Sequence, residues 1–163
     1  IDDLAELAAN REIAEMTSRI PHPYTRQDAE AFVGSILDGT ASGYIYAVTH
    51  GETGHLIGMC SVEMRARSNG LEVAYWIGRK WWGHGYATEA SKAVVDLAFK
   101  VTGTDEIFAT CRVNNVASRR VLLKQGFEFI GLDETDTAAS GRVRVERYRV
   151  TRANWLETIE AAE

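Results

Sequence analysis

The stretch Gly78-Arg79-Lys80-Trp81-Trp82-Gly83-His84-Gly85-Tyr86-Ala87-Thr88 carries the densest chemical signal in the chain. Gly83 and Gly85, lacking Cβ, let a backbone loop close on a ligand, and N–H groups gathered at a helix start attract anionic oxygens. That is chemistry for a phosphate-bearing ligand. A second group, Asn115-Val116-Ala117-Ser118, sets a carboxamide and a hydroxyl close together, either as a helix cap or as hydrogen-bonding groups for a ligand. Carboxylates able to take a proton stand at Glu63, Glu72 and Glu134, with Asp136 beside the last. No spacing of His, Cys and Asp suggests a metal site, so none is expected.

These groups need elements to hold them. Val73-Ala74-Tyr75-Trp76-Ile77 reads as a buried strand just before the glycines, and Ala87, Ala90, Val94, Leu97, Ala98 and Val101 recur at helical spacing just after. The glycine pair therefore falls where a strand hands over to a helix. Upstream, Asp3-Leu4-Ala5-Glu6 has capping-box spacing for a first helix, broken at Ile20-Pro21-His22-Pro23-Tyr24. Thr25-Arg26-Gln27-Asp28 caps a second helix toward Leu37, ended by Asp38-Gly39. Residues 44–49 and 55–65 read as strands, and Asn69-Gly70 signals a hairpin into the strand at 71–77. Further on come a strand at 107–113, a short helix at 117–125 stopped by Gly126, and a closing hairpin of 127–132 with 142–150. Residues 133–141, rich in Asp, Thr, Ala and Ser, read as a flexible connection. Trp155 and the acidic tail 157–163 cover either the sheet or a partner. The order implies an α/β fold in the layered α+β sense, a mixed sheet with helices on its faces.

Two commoner phosphate loops fail in detail. Gly78 to Gly83 fits the opening of a P-loop, but His84-Gly85 stand where Lys and Ser/Thr are needed, so nucleotide hydrolysis is not expected. Gly83 through Thr88 begins like a dinucleotide fingerprint, with Asp105 and Glu106 about 20 residues on, yet Thr88 replaces the third glycine. An NAD-dependent oxidoreductase stays a distant alternative.

The 163 residues fit a single domain, residues 1–163, with 45% hydrophobic and 25% charged content in the ordinary globular range. A net charge of −5 argues against nucleic acid and favours a cationic partner. With no apolar run of membrane-spanning length and no leader pattern, a cytoplasmic protein without a membrane partner is expected. Cys60 and Cys111 lie in strands and read as reduced core thiols. His84, between two glycines, points outward, and His50 and His55 flank an exposed turn. Whether the protein is a monomer or a homodimer stays open.

The chain resembles the GNAT superfamily of N-acetyltransferases, and within it the branch of ribosomal-protein N-terminal (alanine) acetyltransferases. Two blocks carry the likeness. Residues 75–78 with 82–90 are similar to the family's pyrophosphate loop, and residues 115–122 with Lys124-Gln125-Gly126-Phe127 to its second coenzyme-proximal element. Lys80 stands where the family has Gln or Arg, which keeps the charge but not the planar fork. Leu122 stands where many members place a tyrosine acid. The family's first strand would precede Asp2.

The resemblance implies a mostly antiparallel sheet, acetyl-CoA as co-substrate, and direct attack by a primary amine in a ternary complex. The amine belongs to a protein N-terminus or to a small molecule. A catalytically silent CoA-binding regulatory domain is the alternative. By position, Trp76, Ile77, Gly78, Lys80, Trp82, Gly83, His84, Gly85, Tyr86, Ala87, Thr88, Asn115 and Ser118 would contact the coenzyme. A backbone N–H near Trp76 would polarise the thioester, and Ser118 would protonate the leaving sulfur. Glu72 leads as base, followed by Glu63, Glu134 or water. His22 and Tyr24 would meet the acceptor.

Overall fold

The computed structural model describes residues 1–163. Its elements run α1 (Asp2–Ala8), α2 (Arg11–Met16), α3 (Arg26–Leu37), β1 (Tyr44–Thr49), β2 (Leu56–Arg65), β3 (Gly70–Ile77), α4 (Tyr86–Val101), β4 (Glu106–Arg112), α5 (Val116–Lys124), β5 (Glu128–Thr137), β6 (Gly141–Thr151) and α6 (Arg152–Glu160). A single 3₁₀ turn at Arg79–Trp81 links β3 to the glycine pair. The strands form one six-stranded sheet in the order β1-β2-β3-β4-β6-β5. Only β3 and β4 run parallel; every other neighbouring pair is antiparallel. This matches the mixed, mostly antiparallel layered fold read from the sequence. It also excludes the mostly parallel sheet that a dinucleotide fold requires.

Alternation along the strands gives the sheet two working faces. One presents Cys60, Val62, Val73, Ile107, Ala109, Cys111, Tyr148 and Val150 to α4, whose Val94, Val95, Ala98 and Phe99 close the main core. The other presents Glu63 and Glu72, paired across the β2–β3 hairpin, together with Arg112, all buried. Here α1 packs on β2. The apolar face therefore supplies stability, while the polar face is where chemistry-bearing side chains collect.

Four expectations need correction. The first helix does not run unbroken from Asp3, because Asn10 adopts an extended conformation and its side chain accepts a hydrogen bond from the Glu12 N–H, starting a separate α2. The Asp3–Glu6 capping box does not form, since Asp3 already lies inside the first turn of α1. Residues 133–141 are not a flexible connection. The β5–β6 ladder continues to Thr137 opposite Gly141, tightened by Thr137 Oγ1 donating to the Gly141 carbonyl at 2.7 Å and by the Arg142–Glu134 pair at 2.9 Å. Finally Val101 is exposed, because the buried stripe of α4 passes through Val95 and Phe99 instead.

Trp155 packs within the molecule, on α6. Its indole stacks on Phe99 with ring centroids 4.9 Å apart and donates a 2.7 Å hydrogen bond to Asp96. The chain end thereby covers the core from the α4 side.

Candidate active site

The parallel pair β3–β4 is where the sheet opens. Its ladder holds only two residue pairs, Glu72 with Phe108 and Val73 with Ala109. Beyond them, residues 74–77 and 110–112 remain strand but no longer pair with each other. Backbone groups along that gap are left for another extended chain to meet, since buried strand groups without partners are costly. The Thr110 hydroxyl, buried and without a hydrogen-bond partner, flanks the same gap.

The glycine pair sits at the end of the gap that β3 reaches. Gly85 is the N-cap of α4 with φ 80°, and Gly83 also has φ 80°. Both lie in the left-handed region that side chains other than glycine rarely adopt. A Cβ built on either would meet nothing within 4 Å, so the loop surface is open on that side. No side chain caps α4, leaving its first N–H groups for a ligand.

The neighbouring aromatic residues shape this loop from behind. The Trp82 indole donates to the Ile77 carbonyl at 2.6 Å, and the Arg79 guanidinium lies over the Trp82 ring at 4.7 Å. His84 is exposed, with its ring stacked on Tyr86 at 5.5 Å. His50 is half-buried rather than exposed, because it packs against Trp81 and Tyr86. Lys80 is exposed, with its ammonium 5.4 Å from the Trp81 ring centroid.

Across the gap, Asn115 caps α5, its Oδ1 accepting from the Ser118 N–H at 3.1 Å. That leaves the Asn115 amide nitrogen without a protein partner. Ser118 lies in the first turn, half-buried, and its Oγ is 2.9 Å from the Tyr75 hydroxyl. Tyr75 was a packing residue by sequence pattern; its contact with Ser118 joins β3 and α5 across the opening. Burial pushes its phenol well above the ordinary tyrosine range, only partly offset by the Ser118 hydrogen bond, so it stays protonated. Cys111 lies in the core nearby, its thiol pushed up to about 11 by burial first and then by the Glu146 carboxylate. A thiol held that high is no nucleophile at neutral pH.

On the polar face, Glu72 is 4% exposed and bound by the Arg67 guanidinium through two hydrogen bonds, with Ser68 Oγ donating at 3.0 Å. Burial alone would raise its carboxyl, but the Arg67 and Ser68 contacts outweigh that and hold it below the ordinary carboxylate range. Glu63, 3% exposed, accepts from Arg19 at 2.5 Å and from Ser61 Oγ at 3.1 Å. Glu134 lies away from this pair, exposed on β5 and bound to Arg142.

His22 is exposed, and Tyr24 is half-buried just before the Thr25 cap of α3. The segment containing them is anchored near Ser18, whose carbonyl accepts from the Ala138 N–H at 2.8 Å. Arg112 strengthens that tie by donating to the Ala14 and Thr17 carbonyls at 3.2 and 2.7 Å and to Ser140 Oγ at 3.0 Å. The structure therefore gathers the glycine loop, Asn115, Ser118 and Tyr75 around one opening and Glu63 and Glu72 on the polar face, while Glu134 lies apart. Arg19, Arg67 and Arg112 carried no sequence signal of their own, because each is defined by a partner more than four residues away.

A family model described as the acetyltransferase (GNAT) domain matches residues 1–128. The uncharacterised N-acetyltransferase p20 of Bacillus licheniformis is 32% identical over 108 residues, 66% of this chain and 60% of that protein. The chain thus spans less than two-thirds of that curated relative's length. Among solved structures, a GNAT-family acetyltransferase from Bacillus anthracis superposes with a TM-score of 0.77 at 22% identity, covering 92% of this chain and 87% of its own. RimJ of Mycobacterium smegmatis, solved with CoA-disulfide, gives a TM-score of 0.77 at 19% identity, covering 98% of this chain and 82% of its own.

Proposed function

Because the chain belongs to the GNAT acetyltransferase family, we propose that it transfers an acetyl group from acetyl-CoA to a primary amine by direct attack in a ternary complex. The observation that carries this reading is the two-pair β3–β4 ladder, opening beside an uncapped, glycine-led helix start. The coenzyme supplies the activated thioester; everything else is assigned to the chain. The loop from Trp82 to Thr88 binds the pyrophosphate through backbone N–H groups and the α4 dipole. Residues 76–78 border the pantetheine arm along the free edge of β3, and the Asn115 amide nitrogen donates to it. A backbone N–H near Trp76 faces the negative charge that develops on the carbonyl oxygen.

As the new C–N bond forms and the C–S bond breaks, Ser118 passes its hydroxyl proton to the departing sulfur and regains one from water, which carries the proton lost by the acceptor nitrogen, so CoA leaves as the thiol. Tyr75, hydrogen-bonded to Ser118 Oγ, keeps that hydroxyl in place. A thiol titrates near roughly 8.5, so the sulfur needs only modest help. The acceptor nitrogen loses its proton to water. Glu72 is too strongly held by Arg67 to serve as a strong base, and an α-amine titrating near roughly 8 does not require one. Glu72 and Glu63 instead hold the arginines that border the acceptor, with His22 and Tyr24 at its outer edge.

Release of CoA thiol from acetyl-CoA in the presence of an amine panel tests this reading. Amine-dependent thiol release supports it. Tight acetyl-CoA binding with no turnover on any amine would favour a silent CoA-binding domain.

A further inference from the structure

The polar face carries more guanidinium than carboxylate. Arg19, Arg65, Arg67 and Arg147 surround only Glu63 and Glu72. Arg19 and Arg65 share Glu63, and Arg67 takes Glu72. Arg147 has no carboxylate partner. It is half-buried, donates a single 2.8 Å hydrogen bond to Ser68 Oγ, and lies over the Phe108 ring at 5.8 Å, with its Nε buried and unpartnered. Arg65 is held below the usual arginine range by burial first and by Arg19 next, as expected where cations are crowded. A part-buried cation with unfilled donors is costly unless an anion completes it. This excess is local and opposite in sign to the chain's net charge of −5.

Arg147 stands opposite Thr110 in the β4–β6 ladder, one strand away from the β3–β4 gap that Thr110 flanks, and Ala74 on β3, across that gap, is exposed in mid-strand. Resting on the proposed acetyl transfer, we infer that the acceptor is an amine bearing an anionic group, a carboxylate or phosphate, which Arg147 binds. Phe108, under the guanidinium, pairs with Glu72, four residues before Trp76. At about 3.3 Å per residue those four residues span about 13 Å, and the reach of the guanidinium toward the opening leaves the anion on the order of 10 Å from the acetylated nitrogen. An amine and an anion at that separation occur in an amino-terminal peptide with an acidic third residue and in a chain-like amino acid.

Titration calorimetry on the CoA-bound protein tests this without relying on turnover. Two matched probe pairs are used: the amidated peptides Ala-Gly-Asp-Gly and Ala-Gly-Asn-Gly, and 6-aminohexanoate with its carboxamide. The anionic member of at least one pair binds at least about tenfold tighter than its neutral partner, the scale of one charge-assisted hydrogen bond, and the gap narrows with salt. The pair that discriminates identifies the peptide or small-molecule source. Arg147→Gln erases the discrimination, and Arg147→Lys, which keeps the charge without the fork, retains part of it. Equal binding within both pairs, or discrimination that survives Arg147→Gln, overturns the inference. Discriminating binding without acetyl transfer to any probe would count against the proposed reaction alone.

Discussion

In the proposed reaction Ser118 and Tyr75, joined by a hydrogen bond, divide the leaving-group chemistry between a donor and the residue that holds it. Ser118→Ala should lower kcat by about a hundredfold, the low end for general acid catalysis, with acetyl-CoA affinity unchanged by calorimetry. Tyr75→Phe should lower kcat less. In the double variant the two losses should not add, because Tyr75 acts through the Ser118 hydroxyl. Independent, additive losses would show that Tyr75 only packs. Asn115 caps α5 and, in the proposed reaction, donates to the coenzyme, two roles that one substitution separates. Asn115→Asp keeps the acceptor that caps α5 but loses the amide donor. It should preserve thermal stability and weaken acetyl-CoA binding, whereas Asn115→Ala should also cost about 1 kcal/mol of stability. Equal acetyl-CoA affinity in Asn115→Asp and wild type would remove Asn115 from the coenzyme site. The placement of Asn115 and Ser118 at the start of α5 was legible from sequence because a short motif fixes their spacing. Tyr75 was not: its alternation with Val73 and Ile77 marks a buried face, and nothing local says that the face ends at a serine on another element.

Among the elements, the β3–loop–α4 unit was the most readable. Gly83 and Gly85 are required by their positive φ and not by crowding, since a Cβ on either meets nothing. Gly85→Ala should therefore cost about 1–2 kcal/mol in a denaturation series and at the same time weaken acetyl-CoA binding. An unchanged midpoint would contradict the left-handed geometry. Phe99→Ala should be costlier, about 3–5 kcal/mol, because it opens the core and strips Trp155 of its stacking partner. The β5–β6 hairpin was the least readable. Its Asp, Thr and Ser content is that of a loop, and only the long ladder and the Arg142 pairs with Glu134 and Asp136 make it strand. Asn10 likewise divides the first helical region through one side-chain hydrogen bond to a backbone N–H.

At the scale of the molecule, one sheet separates an apolar core from a polar, arginine-rich face, with the β3–β4 gap between. No helix is long and apolar enough to cross a membrane. Cys60 and Cys111 sit in the core, where burial raises both thiols to about 11. Their contribution to stability is complete below the ordinary value of 9.0 and lost as the pH rises through about 11. The urea midpoint should fall across that window, and both thiols should resist alkylation at neutral pH until the chain unfolds. The layered class and the sequence of strands and their connecting helices were readable in advance from alternation and glycine placement; the separate α2 and the closing α6 were not. The charge balance of the polar face was not, because Arg19, Arg67 and Arg147 converge only after folding. The most direct test of the central claim is calorimetric titration with acetyl-CoA beside NAD and ATP. One-to-one, micromolar binding of acetyl-CoA alone is the predicted result; no binding, or preference for NAD or ATP, would contradict the assignment of the glycine loop and of the residues around it.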